Sequence, residues 1–341
     1  MEWSEVGRVT RRTVGMLGEK DVLARVIPRL GPTEALLGPG DDAAVVSAPD
    51  KRFVVSIDTL VQDEDFRLSW PSGYESSGFD VGWKCAAQNL SDVNAMGAVP
   101  TSLVVSLTLP RTTPIAWVED LAEGLAAAVN TMAGSYGHCS VVGGDLGRGK
   151  QVVVTAAVTG DLSGARPVLR SGAKPGHVVA HCGALGYAAG GLAALESDHP
   201  FSDWGDLQED VAHLVVAQCR PTPIMIGPLA ARAGASAMLD VSDGLVRDAG
   251  RVASASSVGI DLDASELTAR AAHLAGPAAR LGVDPMRWVL GGGEDYGLLA
   301  TFPPDAKLPQ GFTPVGRVTN GSGVTVGGVQ PSVEGWDHFG G

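Results

Sequence analysis

The first strongly periodic segment of the chain lies at about residues 19–30, EKDVLARVIPRL. Val22, Val26 and Leu30 recur at four-residue intervals, with further apolar residues beside them. This spacing places the apolar side chains on one face of a helix and predicts an amphipathic helix.

Two apolar runs follow a Gly-Pro-Gly turn, AAVVSA at 43–48 and RFVVSIDTLV at 52–61. Their β-branched residues predict strands, whereas the Pro, Gly and Ser residues of 67–79 predict a loop. Further helices are expected at 81–97, 114–134, 186–196, 244–256 and after Pro228, and further strands at 101–110, 140–145, 151–162, 177–183, 236–242 and near 298 and 314. The mixture of strands and helices predicts α/β or α+β layers in both halves of the chain.

The domain organisation follows from the length and from a linker-like stretch, SGARPVLRSGAKPG. A chain of 341 residues with 45% hydrophobic residues is long enough for two domains, each with its own core. We expect a polar N-terminal extension at 1–17, a first domain at 18–165 and a second domain at 166–341.

Charge and cysteine content exclude several classes of protein. The net charge of −13 argues against general binding to nucleic acid or to an anionic membrane. No stretch approaches the roughly 18 uninterrupted apolar residues of a membrane span, and the N-terminus lacks the apolar segment of a secretory signal. The four cysteines form no close pair, so zinc knuckles and CxxC redox motifs are absent. We therefore expect reduced thiols and a cytoplasmic location.

Acidic residues recur where apolar runs end in turns of small residues. These residues are Asp41, Asp42, Asp58, Asp92, Asp145, Asp240, Asp243, Glu294 and Asp295. Each one, taken alone, is also explained as a helix cap or a turn residue. Together they are a set of hard oxygen donors without His or Cys partners, which favours Mg²⁺, Mn²⁺ or Ca²⁺ over zinc.

In two segments the acidic residues fit either a structural role or a place in a binding site. In LDVSDGLVRD, Ser242 or Asp243 is expected to cap the helix that begins near Gly244, while the two-residue strand period places Asp240 and Ser242 on one face as potential metal ligands. In the helix at 81–97, Asp92 shares a face with the apolar Cys85, so we expect Asp92 to point into a cleft rather than into open water.

Several aspartates at separate positions suit polyphosphate chemistry with several Mg²⁺ ions. The common alternatives are missing: an EF-hand glycine and final Glu in DLDASEL, an HExxH motif, a GxSxG motif and a P-loop. The glycine-rich GALGYAAGG fits close helix packing better than phosphate binding. If ATP is used, it is held through metal and Arg.

Seven motifs, in this order, resemble the thiamine-monophosphate kinase family: GPGDDAAVV, VSIDTLV, KCAAQNLSDVNAMGAVPTSLVVSLTLP, VVGGDLGRG, VTGDLSGARPVLRSGAKPG, CRPTPIMIGPLAARAGASAMLDVSDGL and GGGEDYGLLATF. This family belongs with aminoimidazole ribonucleotide synthetase, selenophosphate synthetase and the hydrogenase maturation factor HypE. The resemblance implies an α/β (α+β) two-domain synthetase-like fold. Its N-terminal sheet would pair with that of a second subunit in a homodimer, and ATP would bind between the domains.

The resemblance also assigns roles to individual residues. It implies Mg²⁺ ligands at Asp41, Ser56, Ile57 (through its backbone), Asp58, Asp92, Asp145, Asp240 and Asp243, with Asp92, Asp145 and Asp243 central to catalysis. It implies nucleotide contacts at Gly144, Asp145, Arg170 and Ser242, and thiamine contacts at Glu294 and Trp336. Asp65 stands where the family usually has a substrate-facing His, since VQDEDF replaces VEGxHF; an acid there would repel phosphate but pair with a cationic ring.

The implied reaction is direct in-line transfer of a phosphoryl group from ATP to thiamine monophosphate, giving thiamine diphosphate. Another ATP-using synthetase of the superfamily is the alternative enzyme, although a selenophosphate synthetase needs a reactive residue near the N-terminus and the first cysteine here is Cys85. A non-catalytic protein that binds Mg²⁺ and nucleotide is the alternative outside enzymes.

Overall fold

The structure is a computed structural model that describes residues 12–17, 19–33, 47–49, 51–136, 139–333 and 335–336. Asp41, Asp42 and most of the run AAVVSA lie outside the described residues, as does most of the N-terminal extension. The chain divides into two compact units. Unit 1 comprises Met1–Val93 and Val99–Ser163, and unit 2 comprises Asn94–Ala98 and Gly164–Gly341.

Unit 1 builds a four-stranded sheet with helices. Its helices are α1 (Glu19–Val26), α2 (Gly78–Ala95) and α3 (Ile115–Ala133), and its strands are β1 (Val54–Val61), β2 (Val99–Leu109), β3 (Ser140–Arg148) and β4 (Val153–Asp161). The strand order is β1-β4-β2-β3. β4 runs antiparallel to β1 and β2, while β3 runs parallel to β2 at the edge.

The two faces of this sheet differ in polarity and exposure. Along β1, Val55 and Ile57 point to the exposed face, with exposed fractions of 62% and 64%. Ser56 and Asp58 alternate with them and therefore point to the opposite face. The apolar side chains of Val55 and Ile57 are thus not buried by the described residues.

Unit 2 contains the second sheet. Its strands are β5 (Val178–Cys182), β6 (Ala237–Val241), β7 (Gly259–Leu262), β8 (Gly297–Phe302), β9 (Thr313–Thr319) and β10 (Gly323–Val326). Its helices are α4 (Tyr187–Glu196), α5 (Gln208–Cys219), α6 (Gly227–Arg232), α7 (Leu245–Ser256), α8 (Ala264–Ala272), α9 (Ala275–Arg280) and α10 (Pro285–Gly291). The strand order is β10-β7-β9-β5-β8-β6, so β6 is an edge strand.

The core of unit 2 fixes the strand that carries the predicted site. All five residues of β6 are buried, and Leu239 and Val241 pack with α7 residues such as Leu245 and Val252. The DVSDG turn therefore emerges from a rigid strand and enters a rigid helix. None of the described helices is both long enough and apolar enough to span a membrane.

Candidate active site

In unit 1 the predicted ligands Ser56 and Asp92 are in direct contact. The hydroxyl of Ser56 donates a hydrogen bond to Oδ2 of Asp92 at 2.5 Å. This contact joins the inner face of β1 to α2, and Asp92 is half-buried there. That Asp92 points into a cleft stays a prediction.

Asp58 lies on the same inner face of β1, close to α2. Burial raises the pKa of the Cys85 thiol to about 12, and the nearby carboxylate of Asp58 acts in the same direction. Cys85 is thus a protonated core thiol, as expected for a cysteine without a catalytic role. Asp58 therefore shares the inner face of β1 with Ser56, whose hydroxyl contacts Asp92.

Asp145 occupies a different part of the sheet. The register pairs Asp145 with Ser106, Ser106 with Thr155 and Thr155 with Thr59. Directly paired residues share a face, so Asp145 belongs to the face that carries Thr59, opposite to Ser56 and Asp58. Its carboxylate is exposed and makes no hydrogen bond or ion pair with a described residue. The structure of unit 1 therefore separates Asp145 from the Ser56–Asp92 pair.

Gly144, the predicted nucleotide contact before Asp145, has a clear steric reason to be glycine. A Cβ atom at this position would lie 2.1 Å from the carbonyl oxygen of Val105. The backbone of β3 therefore lies closer to β2 than any other residue type would allow. A glycine at such a close approach leaves the backbone accessible to a ligand.

Asp65 holds the turn after β1. Its Oδ2 accepts a hydrogen bond from the backbone amide of Val61 at 2.7 Å, and the buried Lys84 donates to its carbonyl oxygen at 3.1 Å. Asp65 thus stabilises the turn locally. A carboxylate is better suited than an imidazole to accept from a backbone amide at this position.

In unit 2 three predicted segments meet at the end of β6. The amide of Glu294 donates to the carbonyl oxygen of Ser242 at 2.9 Å, and the amide of Trp336 donates to that of Asp243 at 2.8 Å. Gly293 packs so closely that a Cβ atom there would lie 2.4 Å from the oxygen of Ser242. The structure therefore places the predicted nucleotide contact Ser242 and the predicted thiamine contacts Glu294 and Trp336 on one backbone framework.

The expected capping of α7 is wrong. Gly244, at φ 111°, is the N-cap residue, and no side chain caps this helix end. The buried carboxylate of Asp248, one turn into α7, instead accepts from the amide of Asp243 at 2.9 Å. Capping was predicted from Ser242 and Asp243 because both are common N-cap residues, but the left-handed glycine moves the helix start beyond them.

The carboxylate of Asp243 is paired with arginine. Its Oδ2 receives a short hydrogen bond from Arg251, and the Nε of Arg247 lies 3.9 Å from the same oxygen. Arg251 also donates to Oδ1 of Asp248 at 2.6 Å. Burial raises the pKa of Asp248 to about 6, although the Asp243 amide and Arg251 act to lower it.

Glu294 and Asp295 have different environments. Glu294 adopts φ 64° and accepts a hydrogen bond from the side-chain amide of Gln218 at 2.7 Å. A positive φ in a non-glycine residue is a strained conformation that is common at functional sites. Asp295 is buried and accepts from the amides of Gly186 at 2.5 Å and Ala188 at 2.8 Å, at the start of α4.

The hydrogen bonds of Asp295 also show what the glycine-rich segment GALGYAAGG does. The N-terminus of α4 already binds a carboxylate of the chain itself, which is the kind of group that a helix N-terminus favours. Gly191 of this helix contacts α5, because a Cβ atom there would lie 2.0 Å from the oxygen of Leu214. Close helix packing, the predicted explanation of the glycines, is confirmed.

The variant Asp295→Asn is expected to reduce the pH dependence of stability. Burial raises the pKa of Asp295 from 3.8 to about 6, against the backbone amides that lower it. The folded state then binds more protons than the unfolded state between these values, so this carboxyl's contribution to stability falls as the pH rises from about 4 to about 6, by on the order of 2–3 kcal/mol. Urea denaturation at several pH values measures this change. Equal pH dependence in wild type and variant contradicts it, and Asp284→Asn, at the exposed N-cap of α10, is the control.

Arg170 lies at the other end of α7 from Ser242. Its carbonyl oxygen accepts from the hydroxyl of Ser256, the last residue of α7, at 3.2 Å. The helix has 12 residues and is therefore about 18 Å long. The exposed guanidinium of Arg170 makes no hydrogen bond or ion pair with a described residue. The backbone of Arg170 and that of Ser242 therefore lie at opposite ends of α7.

The described residues contain no group of three His, Cys, Asp or Glu side chains arranged around one potential metal position. Asp240 is buried within β6, and Asp41 lies outside the described residues. The predicted ligands are therefore distributed as small sets of one or two carboxylates. Sequence reasoning missed three residues of this region: Asp248, Arg251 and Gln218.

The chain is similar to known proteins along most of its length. Residues 40–162 match the family model of the AIR synthase related protein, N-terminal domain, and residues 174–327 match that of the C-terminal domain. A thiamine-monophosphate kinase of Mycobacterium tuberculosis (strain H37Rv) is 45% identical over 332 residues, which cover 96% of this chain and 93% of the relative.

Solved structures show the same similarity. The crystal structure of thiamine-monophosphate kinase from Stenotrophomonas maltophilia K279a has a TM-score of 0.75 and 32% identity, covering 91% of this chain and 97% of that chain. AaThiL complexed with AMPPCP and TMP has a TM-score of 0.70 and 28% identity, covering 97% of this chain and 100% of that chain.

Proposed function

The chain belongs to the AIR synthase related family and, within it, to the thiamine-monophosphate kinases, and we propose that it transfers the γ-phosphoryl group of ATP to thiamine monophosphate. The products are thiamine diphosphate and ADP. Similarity over 96% of the chain to a curated kinase supports this reaction, as does the likeness to AaThiL, which holds AMPPCP and TMP.

The acceptor determines which groups the protein must supply. A phosphate monoester is already an oxyanion at neutral pH, so the attacking oxygen has no proton that a general base must remove. The barrier arises mainly from bringing two anions together and aligning them. This explains why an enzyme of this kind works without a catalytic histidine and with many carboxylates.

The residues present fit Mg²⁺. The donors are oxygen atoms, and Mg²⁺ is usually held by one or two carboxylates together with phosphates and water rather than by a dedicated cage. The small carboxylate sets of this chain match that pattern. The residues that would hold it are Ser56, Ile57 (backbone), Asp58, Asp92, Asp145, Asp240 and Asp243, together with Asp41. When bound, Mg²⁺ neutralises charge on the phosphates of both substrates.

One observation carries the assignment of roles in unit 2: the amides of Glu294 and Trp336 bind the carbonyl oxygens of Ser242 and Asp243. Ser242, whose hydroxyl makes no hydrogen bond with a described residue, is available to bind nucleotide phosphate. Glu294, oriented by Gln218, and the exposed indole of Trp336 are suited to a cationic heteroaromatic ring. Gly144 and Arg170 would contact the nucleotide, and Asp65 would fix the turn near the substrate rather than bind it.

An acceptor panel tests the proposed reaction. The purified protein is incubated with radiolabelled ATP, Mg²⁺ and either thiamine monophosphate or thiamine. We expect label in thiamine diphosphate and no label in thiamine monophosphate formed from thiamine. Transfer to thiamine, or ATP hydrolysis without transfer to either acceptor, contradicts the proposal.

We also propose that the protein is a homodimer formed through the exposed face of the unit 1 sheet. Val55 and Ile57 of β1 are 62% and 64% exposed, Phe53 just before the strand is 59% exposed, and Val104 of β2 is 43% exposed on the face of Val55 and Ile57. Contiguous exposed apolar residues on a sheet face are typical of an interface. A second copy of the sheet is the occupant that the family resemblance implies.

Val55→Asp is expected to convert the dimer to monomer, because it places a charge in the centre of the proposed interface. Multi-angle light scattering after size-exclusion chromatography measures the mass. Val216→Asp, at a residue of α5 that is 51% exposed, is the matched control and leaves the mass unchanged. A wild-type monomer, or a Val55→Asp variant that remains dimeric, contradicts the interface.

A cytoplasmic location is proposed on the state of the cysteines. Cys85, Cys139, Cys182 and Cys219 are all free thiols. Free thiols persist in a reducing compartment, where ATP is also present. The proposed location is therefore consistent with ATP as the cosubstrate.

A further inference from the structure

Three charged groups form a closed ring at the start of α7. The amide of Asp243 donates to Oδ2 of Asp248 at 2.9 Å, and Oδ1 of Asp248 accepts from Arg251 at 2.6 Å. The second guanidinium nitrogen of Arg251 binds Oδ2 of Asp243. Both the backbone and the side chain of Asp243 are therefore held by the same two residues.

The ring differs from a surface ion pair because one of its carboxylates is buried. The side chain of Asp248 is fully buried, and burying a carboxylate is unfavourable unless it is paired and hydrogen-bonded. Arginine suits this position because its planar guanidinium presents two nitrogens at a fixed spacing and can bind two carboxylates at once. Lysine carries the same charge but cannot reproduce this geometry.

The ring leaves one oxygen of Asp243 available. Arg251 and Arg247 both approach Oδ2, whereas Oδ1 accepts no hydrogen bond from a described residue. A carboxylate can bind a cation through one oxygen while the other accepts a hydrogen bond from a neighbouring group. Such neighbouring groups fix the orientation of metal-binding carboxylates and increase their affinity.

We infer that Arg251, anchored by the buried Asp248, is a positioning residue that orients Asp243 so that its Oδ1 binds a divalent cation. This inference rests on the proposed function, which places Asp243 among the cation-binding residues. Arg251 itself touches neither substrate. Its removal should therefore weaken cation binding more than it slows the reaction at saturating cation.

The test measures cation binding in the full-length protein without turnover. Mn²⁺ replaces Mg²⁺, the non-hydrolysable AMPPCP replaces ATP, and free Mn²⁺ is measured by electron paramagnetic resonance. Arg251→Gln and Arg251→Lys are both expected to weaken Mn²⁺ binding by about 10- to 100-fold. In kinetic assays the Mg²⁺ concentration for half-maximal rate rises by a similar factor, while kcat at saturating Mg²⁺ changes less.

Two further variants make the result interpretable. Arg251→Gln leaves the buried Asp248 without its charged partner, so the double variant Arg251→Gln/Asp248→Asn removes both charges and preserves folding. It is expected to weaken Mn²⁺ binding as the single variants do. Arg317→Gln removes an arginine that is paired with Asp261 at 3.3 Å elsewhere in unit 2, and it is expected to leave binding unchanged.

The outcomes separate this inference from the proposed reaction. Unchanged Mn²⁺ binding in the folded double variant, or an equal loss in Arg317→Gln, overturns the positioning role. Wild-type Mn²⁺ affinity in Arg251→Lys also overturns it, because the role requires two nitrogens. Absence of thiamine phosphate turnover in the wild type contradicts the proposed function but leaves the Mn²⁺ comparison valid.

Discussion

Asp145→Asn is expected to lower kcat for thiamine diphosphate formation by about 1,000-fold and to leave the melting temperature unchanged. The carboxylate is exposed and makes no hydrogen bond or ion pair with a described residue, so its loss removes no such interaction from the fold. Asparagine has nearly the same shape but no charge, so it would hold Mg²⁺, and through it the nucleotide phosphates, far less well. Steady-state kinetics and differential scanning calorimetry measure the two quantities.

Asp161→Asn is the matched control for this prediction. Asp161 ends β4 of the same sheet, and its carboxylate accepts a hydrogen bond from the amide of Ser163 at 2.9 Å in a turn. The change removes the same charge from the same unit, and turnover should be little altered. Retention of wild-type turnover in Asp145→Asn means that Asp145 has no part in catalysis.

Asp243→Asn is expected to lower kcat by about 100-fold or more, for a related reason. Asp243 differs from Asp145 because it is already paired with Arg251, so the substitution also disrupts an ion pair. We therefore expect a decrease of a few degrees in melting temperature in addition to the kinetic effect. The kinetic loss should persist at temperatures well below the melting transition.

The control for Asp243→Asn is Asp263→Asn. Asp263 is the N-cap of α8 and accepts from the amides of Ser265 and Glu266. Asparagine is about as good an N-cap as aspartate, so stability and turnover should both be nearly unchanged. A wild-type rate in Asp243→Asn, or an equal loss in Asp263→Asn, contradicts the role of Asp243.

Local periodicity predicted the elements that surround the site. The apolar spacing of the segment at 19–30 corresponds to α1 and the 3₁₀ turn Ile27–Leu30 that follows it, where Pro28 ends regular α-helical hydrogen bonding. The β-branched run at 52–61 contains β1, and the helix expected at 81–97 is α2. In each case the pattern depends on neighbours in sequence alone.

Features that depend on tertiary contacts were not predictable. The separation of Asp145 from Ser56 requires the register of three strand pairs, which no local pattern contains. α5 and the C-terminal helices α8 to α10 were missed; α9 is only six residues long and includes both glycine and proline. Such short helices form because packing stabilises them, not because their residues favour helix.

The buried carboxylates illustrate the same limit. Asp295 and Asp248 both stand in acidic motifs, and sequence alone gives no reason to distinguish them from solvent-exposed ligands. In the structure both are buried and accept hydrogen bonds from backbone amides of the chain itself. Asp65, which is half-buried, accepts a hydrogen bond from the amide of Val61, and its predicted contact with substrate stays a prediction.

The most direct test of the Mg²⁺-dependent kinase reaction is a product assay with purified protein, ATP and thiamine monophosphate, with and without Mg²⁺. Thiamine diphosphate and ADP are separated chromatographically and quantified. We expect equal amounts of both products with Mg²⁺, and neither product after chelation of the cation. Tight binding of Mg²⁺ and ATP without formation of thiamine diphosphate would contradict the kinase activity.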